Sequence, residues 1–224
     1  LVDRRKPFDF ALGKRSFCDI NILFVGRIEE YKGVFDVIEA AGKLLKEPAL
    51  RQYDLTFTFV GEGSEYTKVI EFEKALGIST HAIHKNVSYA QMPAVYREAD
   101  IFVAPSKQRM RPMVRGWSDR TLKSRPDPEV TWEEQYNTSL LEAQASGLPI
   151  VTTVSGGIPE NVGDAAIIVP PGDVGAIAAA IKRFILNPSL RRAYAVKART
   201  RAEHFHDITI GSKKLNDLYL SLLP

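Results

Sequence analysis

Ile22-Leu23-Phe24-Val25-Gly26-Arg27-Ile28, followed by Val34, Val37, Ile38, Ala41, Leu44 and Leu45, is the stretch on which the fold turns. Four consecutive apolar residues ending at a glycine fit a strand buried on both faces. The apolar positions after Gly33 recur at i, i+3, i+4, i+7, i+10 and i+11, the spacing of an amphipathic helix. A buried strand feeding such a helix is the building unit of a parallel α/β sheet. The rhythm then repeats. Strands are expected at 55–60, 82–83, 101–104, 149–153 and 166–169. Helices are expected at 34–45, 66–76, 90–99, 134–146 and 173–186, from Asn187-Pro188 onward, and at 208–223. The expected fold is therefore α/β, a Rossmann-like doubly wound parallel sheet of about six strands. Ligands in such sheets bind at the carboxyl ends of the strands, near the point where the strand order reverses.

The composition excludes several classes. The chain has 224 residues, 45% apolar and 25% charged, with a formal net charge of +3. That charge is too small to argue for nucleic acid as a partner. No run approaches the ~18 apolar residues of a membrane span, and no signal-peptide pattern is present. The single cysteine, Cys18, cannot form an intramolecular disulfide or a cysteine metal cluster, which fits a reducing compartment and an expected cytoplasmic location. The opening, Leu1-Val2-Asp3-Arg4-Arg5-Lys6-Pro7, reads like a chain already under way, so a fragment of a longer enzyme is expected. Residues 1–19 read as a linker, 20–206 as the folded domain, and 207–224 as a C-terminal helix. Residues 107–132 carry no apolar period and read as a long loop; long loops in compact domains are usually functional or disordered.

Chemistry-bearing residues cluster at the predicted strand ends. After the first strand, Gly26 permits a tight turn, Arg27 offers a charged planar fork, and Lys32 before the helix offers a second cation. Such a pair suits a diphosphate; two solvated surface charges are the alternative. After the second strand, Gly61-Glu62-Gly63 lacks the third glycine of a dinucleotide fingerprint, since Tyr66 stands there, and a plain tight turn fits as well. In Glu134-Gln135-Tyr136-Asn137-Thr138-Ser139-Leu140-Leu141-Glu142 two glutamates eight positions apart would lie two helical turns apart on one face. A glutamate at a helix start also interacts favourably with the dipole alone. Glu142, inside an apolar stretch, is harder to explain that way. Gly156-Gly157-Ile158-Pro159-Glu160 fits a backbone that approaches a ligand and then enters a short helix, or a simple turn. His81, His84, His204 and His206 show no metal-ligand spacing and read as structural or surface residues.

Taken in order, these segments resemble the retaining glycosyltransferases of the GT4-type family, which have the two-domain GT-B architecture. The matching pieces are Val25-Gly26-Arg27 with Lys32-Gly33, Val60-Gly61-Glu62-Gly63, and Tyr96-Arg97-Glu98-Ala99-Asp100-Ile101-Phe102-Val103-Ala104-Pro105-Ser106. They continue with the E-x7-E motif from Glu134 to Glu142, Ala143-Gln144-Ala145-Ser146-Gly147, and Gly156-Gly157-Ile158-Pro159-Glu160. The resemblance covers the C-terminal, donor-binding domain from about residue 21. It implies transfer of a hexosyl group from a nucleoside-diphosphate sugar, such as a UDP- or GDP-linked hexose, to a glycan, lipid or small-molecule acceptor.

The resemblance also implies roles. Arg27 and Lys32 would stabilise the departing diphosphate, with the amides near Asn137 and Thr138 adding to them. Glu134 would bond the donor sugar and Glu142 the ribose. The backbone around Val87 would meet the base, and Gly26, Gly61, Gly156 and Gly157 would line the donor site. Catalysis of this kind is electrostatic and positional, and no metal or other cofactor is implied. The missing N-terminal domain would be the main partner, with the last helix packing toward it, and the isolated domain would be inactive or weak.

Three departures stand out. Asn137 and Lys85 replace glycines common in the family; asparagine tolerates positive φ better than most residues. The stretch between Ser106 and Glu134 is longer than usual. It carries Lys107, Arg109, Arg111, Arg115, Arg120, Lys123 and Arg125 against Asp119 alone. A contact with an anionic acceptor or with the surface of a membrane would fit it, as would a plain charged insertion. Trp117 and Trp132 could stack on a sugar or anchor this loop. Outside the enzyme reading, a non-catalytic nucleotide- or sugar-binding module is the alternative; a sugar-nucleotide epimerase and a Rossmann dehydrogenase fit the motifs less well.

Overall fold

The computed structural model describes residues 18–110 and 130–222. Its elements are β1 (Asp19–Val25), α1 (Val34–Leu45), β2 (Asp54–Val60), α2 (Tyr66–Leu76), β3 (Ala82–Lys85), α3 (Met92–Arg97), β4 (Ile101–Ala104), β5 (Arg109–Met110), β6 (Val130–Trp132), α4 (Thr138–Ala145), β7 (Ile150–Thr153), α5 (Ile158–Val162), β8 (Ala166–Val169), α6 (Val174–Leu186), α7 (Pro188–Phe205) and α8 (Ile208–Ser221). Six strands form one sheet in the order β3-β2-β1-β4-β7-β8. Every pairing in it is parallel. The order reverses between β1 and β4, which makes the ends of those two strands the switch point.

The sheet is buried on both faces because its strands are apolar on both faces. Ile20, Ile22 and Phe24 of β1 join Phe57, Phe59 and Ile101 in a core with Val37 and Ile38 of α1, Val69 of α2 and Ile181 of α6. Leu23, Phe102 and Ile150 point the other way, into a core with Val95 of α3, Leu140 of α4, Ile158 of α5 and Ala198 of α7. Each fully buried side chain of this size contributes ~1.5–3 kcal/mol. Asn21 is the polar exception in β1. It is buried but satisfied: its Oδ1 accepts from Thr58 Oγ1 at 2.8 Å and its Nδ2 donates to the Glu98 carbonyl at 3.0 Å. Its backbone N–H donates to Asp100 at 2.8 Å, which ties the turn before β4 to the centre of the sheet.

Four expectations need correction. The helix expected at 134–146 begins only at Thr138, because Asn137 adopts φ 47°, outside the helical region, and its side chain caps Leu140 N–H. The helix expected at 90–99 is a single 3₁₀ turn (Tyr89–Gln91) followed by the short α3, with Pro93 in its first turn, where its missing N–H does no harm. β1 begins at Asp19, the last residue read as linker; residues 1–17 lie outside the described residues. The ends of the long loop pair as an antiparallel ribbon, Arg109 with Trp132 and Met110 with Val130. Residues 111–129, with Trp117 and most of the basic cluster, lie outside the described residues.

Candidate functional site

Three loops meet at the switch point. The loop after β1 returns at Gly33, which has φ 77°; a Cβ there would sit 2.1 Å from the Pro105 carbonyl oxygen, in the loop after β4. Only glycine fits both demands. The loop after β7 is equally tight. A Cβ on Gly156 (φ 50°) would lie 2.1 Å from the Glu134 carbonyl oxygen, and one on Gly157 2.3 Å from that of Gln135. Gly157 N–H donates to the Glu134 carbonyl at 2.8 Å. The room beside the Cα atoms of the glycine pair is thus taken by the chain's own backbone, as the simple-turn alternative also requires. The same holds for Gly61, whose absent Cβ would meet the Gly26 carbonyl oxygen at 2.0 Å.

These contacts fix the extended segment before α4 and aim Glu134 inward. Glu134 is buried, and its Oε2 accepts from Lys32 Nζ at 2.5 Å, Ser106 Oγ at 2.9 Å and Asn137 Nδ2 at 3.4 Å. Its backbone N–H donates to Ser155 Oγ at 3.2 Å. Asn161 of α5 donates to the Tyr136 carbonyl at 2.5 Å and accepts from Gln144 at 2.8 Å, so the segment is held from below as well. Asn137 is the single described non-glycine residue with positive φ, the conformation its identity allowed for. Thr138, exposed, begins α4, where first-turn amides attract anions.

Aromatic rings frame the cations. Tyr31 is buried, and Trp132 of β6 meets it edge-on with centroids 4.4 Å apart. Lys32 Nζ lies 5.0 Å from the Trp132 ring centroid and 5.8 Å from that of Tyr31, and the Arg27 guanidinium lies 5.2 Å from Tyr31. Cation–π contacts of this kind contribute ~0.5–1 kcal/mol when exposed. Trp132 therefore anchors the end of the long loop to the loop that carries Lys32. Arg27 is exposed and makes no ion pair among the described residues. Lys107 pairs with Asp36 of α1 at 2.8 Å; burial pushes the Asp36 carboxyl above its usual range.

The structure thus gathers Lys32, Glu134, Asn137, Gly156 and Gly157, with Arg27 one ring away and Gly26 stacked on Gly61. Val87 and Glu142 lie on the β3–α3 side. Val87 packs its side chain against the second core. Glu142 accepts from the Tyr96 hydroxyl at 2.7 Å. No hydrogen bond or ion pair joins either residue to the Glu134 cluster among the described residues. Two polar groups escaped the sequence reading: Ser106, noted only as part of a loop, and Tyr96, noted only as part of a strand approach. Tyrosine beside a strand reads as core, and nothing local marks its hydroxyl. Lys85 pairs with Glu98 at 2.9 Å. The histidines are structural: His81 bonds the Leu55 carbonyl, His84 bonds Glu73, His204 the Thr200 carbonyl and His206 the Asn161 carbonyl.

The sequence model of the family "Glycosyl transferases group 1" matches residues 18–201. The chain belongs to this family. It is 27% identical over 215 residues to a glycogen synthase of Mycobacterium tuberculosis, covering 95% of this chain and 45% of that protein. It is 29% identical over 208 residues to a D-inositol 3-phosphate glycosyltransferase of Salinispora tropica, covering 88% and 37%. The chain thus spans less than half the length of these relatives. Among solved structures, the fold matches a sucrose-phosphate synthase of Thermosynechococcus elongatus (TM-score 0.71, 19% identity, 93% of this chain and 46% of that one). It also matches the C-terminal domain of a glycosyl transferase group 1 protein of Francisella tularensis (TM-score 0.65, 24% identity, 84% and 87%). Anabaena HepE, solved in complex with UDP, aligns with a TM-score of 0.72 at 19% identity, covering 92% of this chain and 50% of that one. The six-stranded α/β Rossmann-like sheet matches part of the fold of these glycosyltransferase neighbours. No described helix is long and apolar enough to cross a membrane.

Proposed function

We propose that this chain is the donor-binding domain of a retaining glycosyltransferase that moves a hexosyl group from a nucleoside-diphosphate sugar to an acceptor. The observation that carries the reading is the Lys32–Glu134 pair at the switch point, with the exposed Arg27 and the first turn of α4 near it. Two cations and a helix N-terminus converge where a diphosphate would gather charge as the sugar leaves. In this reading Arg27 and Lys32 stabilise the departing diphosphate, and the amides around Asn137 and Thr138 add to them. Glu134 bonds the donor sugar, Glu142 the ribose, and the backbone around Val87 meets the base.

The residues call for no metal in this scheme, because the cations supply the positive charge. α8 buries none of its residues and exposes Ile208, Leu215, Leu218, Tyr219 and Leu220. This apolar surface supports its packing against an N-terminal acceptor domain, as does the chain's partial coverage of its relatives. Transfer by this domain alone is therefore expected to be weak or absent.

A thermal-shift panel of nucleoside diphosphates and sugar nucleotides tests the reading. A ligand at a hundred times its Kd stabilises by ~2.7 kcal/mol, so the preferred donor gives the largest shift. Arg27→Ala should reduce that shift. No shift with any member of the panel overturns the reading.

A further inference from the structure

Glu142 stands in the second turn of α4, half-buried, on a side chain with three rotatable bonds. Fixing such a long side chain in one rotamer costs conformational entropy. Here one oxygen is already fixed, since Oε2 accepts from Tyr96 Oη at 2.7 Å, the length of a charge-assisted hydrogen bond. The donor is itself immobile. Tyr96 is 2% exposed, and its ring packs on Phe102 with centroids 6.0 Å apart. Burial, and then the hydroxyl's bond to Glu142, push the Tyr96 phenol far above its ordinary range, so it stays a proton donor across the physiological pH range. The second carboxylate oxygen, Oε1, has no hydrogen-bond partner among the described residues.

We propose that Tyr96 is a positioning residue that locks Glu142 through one oxygen and leaves the other aimed for a hydroxyl of the donor's ribose. The proposal rests on the donor-binding reading above and adds to it a residue anchored in the same core that Leu140 and Ala143 of α4 enter. Its physical content is preorganisation: the rotamer is fixed in the free protein, so less ordering remains when the nucleotide arrives. The ring keeps a role in packing whatever the hydroxyl does, which is why the hydroxyl alone must be tested.

The test is titration calorimetry of the 224-residue chain, its Tyr96→Phe and Glu142→Ala variants, and the double variant. The probes are uridine and guanosine diphosphates and their 2′,3′-dideoxy counterparts. Tyr96→Phe keeps the ring, and its unliganded melting temperature checks that the fold is intact. The expected result is an about tenfold loss of affinity for the preferred ribonucleotide, with affinity for the dideoxy nucleotide unchanged. In the Glu142→Ala background, which offers Tyr96 no acceptor, Tyr96→Phe should have no further effect on ribonucleotide binding. Equal weakening of ribo and dideoxy nucleotides would mean a structural role and overturns the proposal. So does a ribonucleotide affinity that survives Tyr96→Phe but falls with Glu142→Ala; in that case the donor-binding reading stands. A wild-type chain that binds none of the probes, or does not distinguish ribo from dideoxy, brings down the assignment of Glu142 and this proposal with it.

Discussion

The two glutamates of one motif, eight residues apart, occupy opposite environments. Glu134 sits in extended chain, buried, with Lys32, Ser106 and Asn137 all on its Oε2. Glu142 sits in a helix, half-buried, with one tyrosine on one oxygen. The first is an internal strut between three loops as well as a candidate sugar ligand. The second is a poised acceptor with little structural burden. Spacing in sequence therefore says nothing of shared surroundings once a residue such as Asn137 interrupts the helix between them.

The comparison breaks most visibly at Lys32. The side chains of the Lys32–Glu134 pair are 16% and 8% exposed. Lys32→Met leaves a nearly buried carboxylate with only neutral partners, and removing one member of a buried pair costs ~3–5 kcal/mol. The lower end is expected, since some exposure remains. In a domain of this size, where each kcal/mol moves Tm by ~2–4 °C, calorimetry should show a fall of ~6–12 °C. An unchanged Tm would mean that Glu134 is no strut.

Asn137 gives an intermediate effect and sharpens the cause. Asn137→Ala loses the cap on Leu140 and puts a Cβ residue without a compensating side chain at φ 47°. Loss of a cap costs ~0.5–2 kcal/mol, and positive φ adds to it. Asn137→Gly should cost only a few tenths, because glycine accepts that backbone freely and is itself a tolerated cap. Urea unfolding of the two variants separates them; equal losses would place the cost elsewhere than the backbone. The smallest effect is expected at Glu142. Glu142→Gln keeps the shape and an acceptor for Tyr96, so stability should stay within ~0.5 kcal/mol of the parent, as for surface substitutions. A loss as large as that at Lys32 would erase the distinction between the two glutamates.

The sequence by itself determined the sheet and its helices. The runs at 22–25, 55–60 and 101–104, and the apolar stripe from Val34 to Leu45, are dictated by local periodicity and burial, and the strand and helix they imply are the ones found. It also marked the loops that converge at the switch point, because glycines and charges at strand ends are visible one residue at a time. The tertiary structure alone decided who meets whom. That Gly156 makes room for a backbone carbonyl 22 residues earlier in the chain, that Trp132 closes over Lys32, and that Tyr96 reaches Glu142 are contacts between segments far apart in the chain. Periodicity carries the preference of a residue for inside or outside. It carries no record of which buried polar group will pair with which, since that depends on how loops from different strands converge on a single point of the sheet.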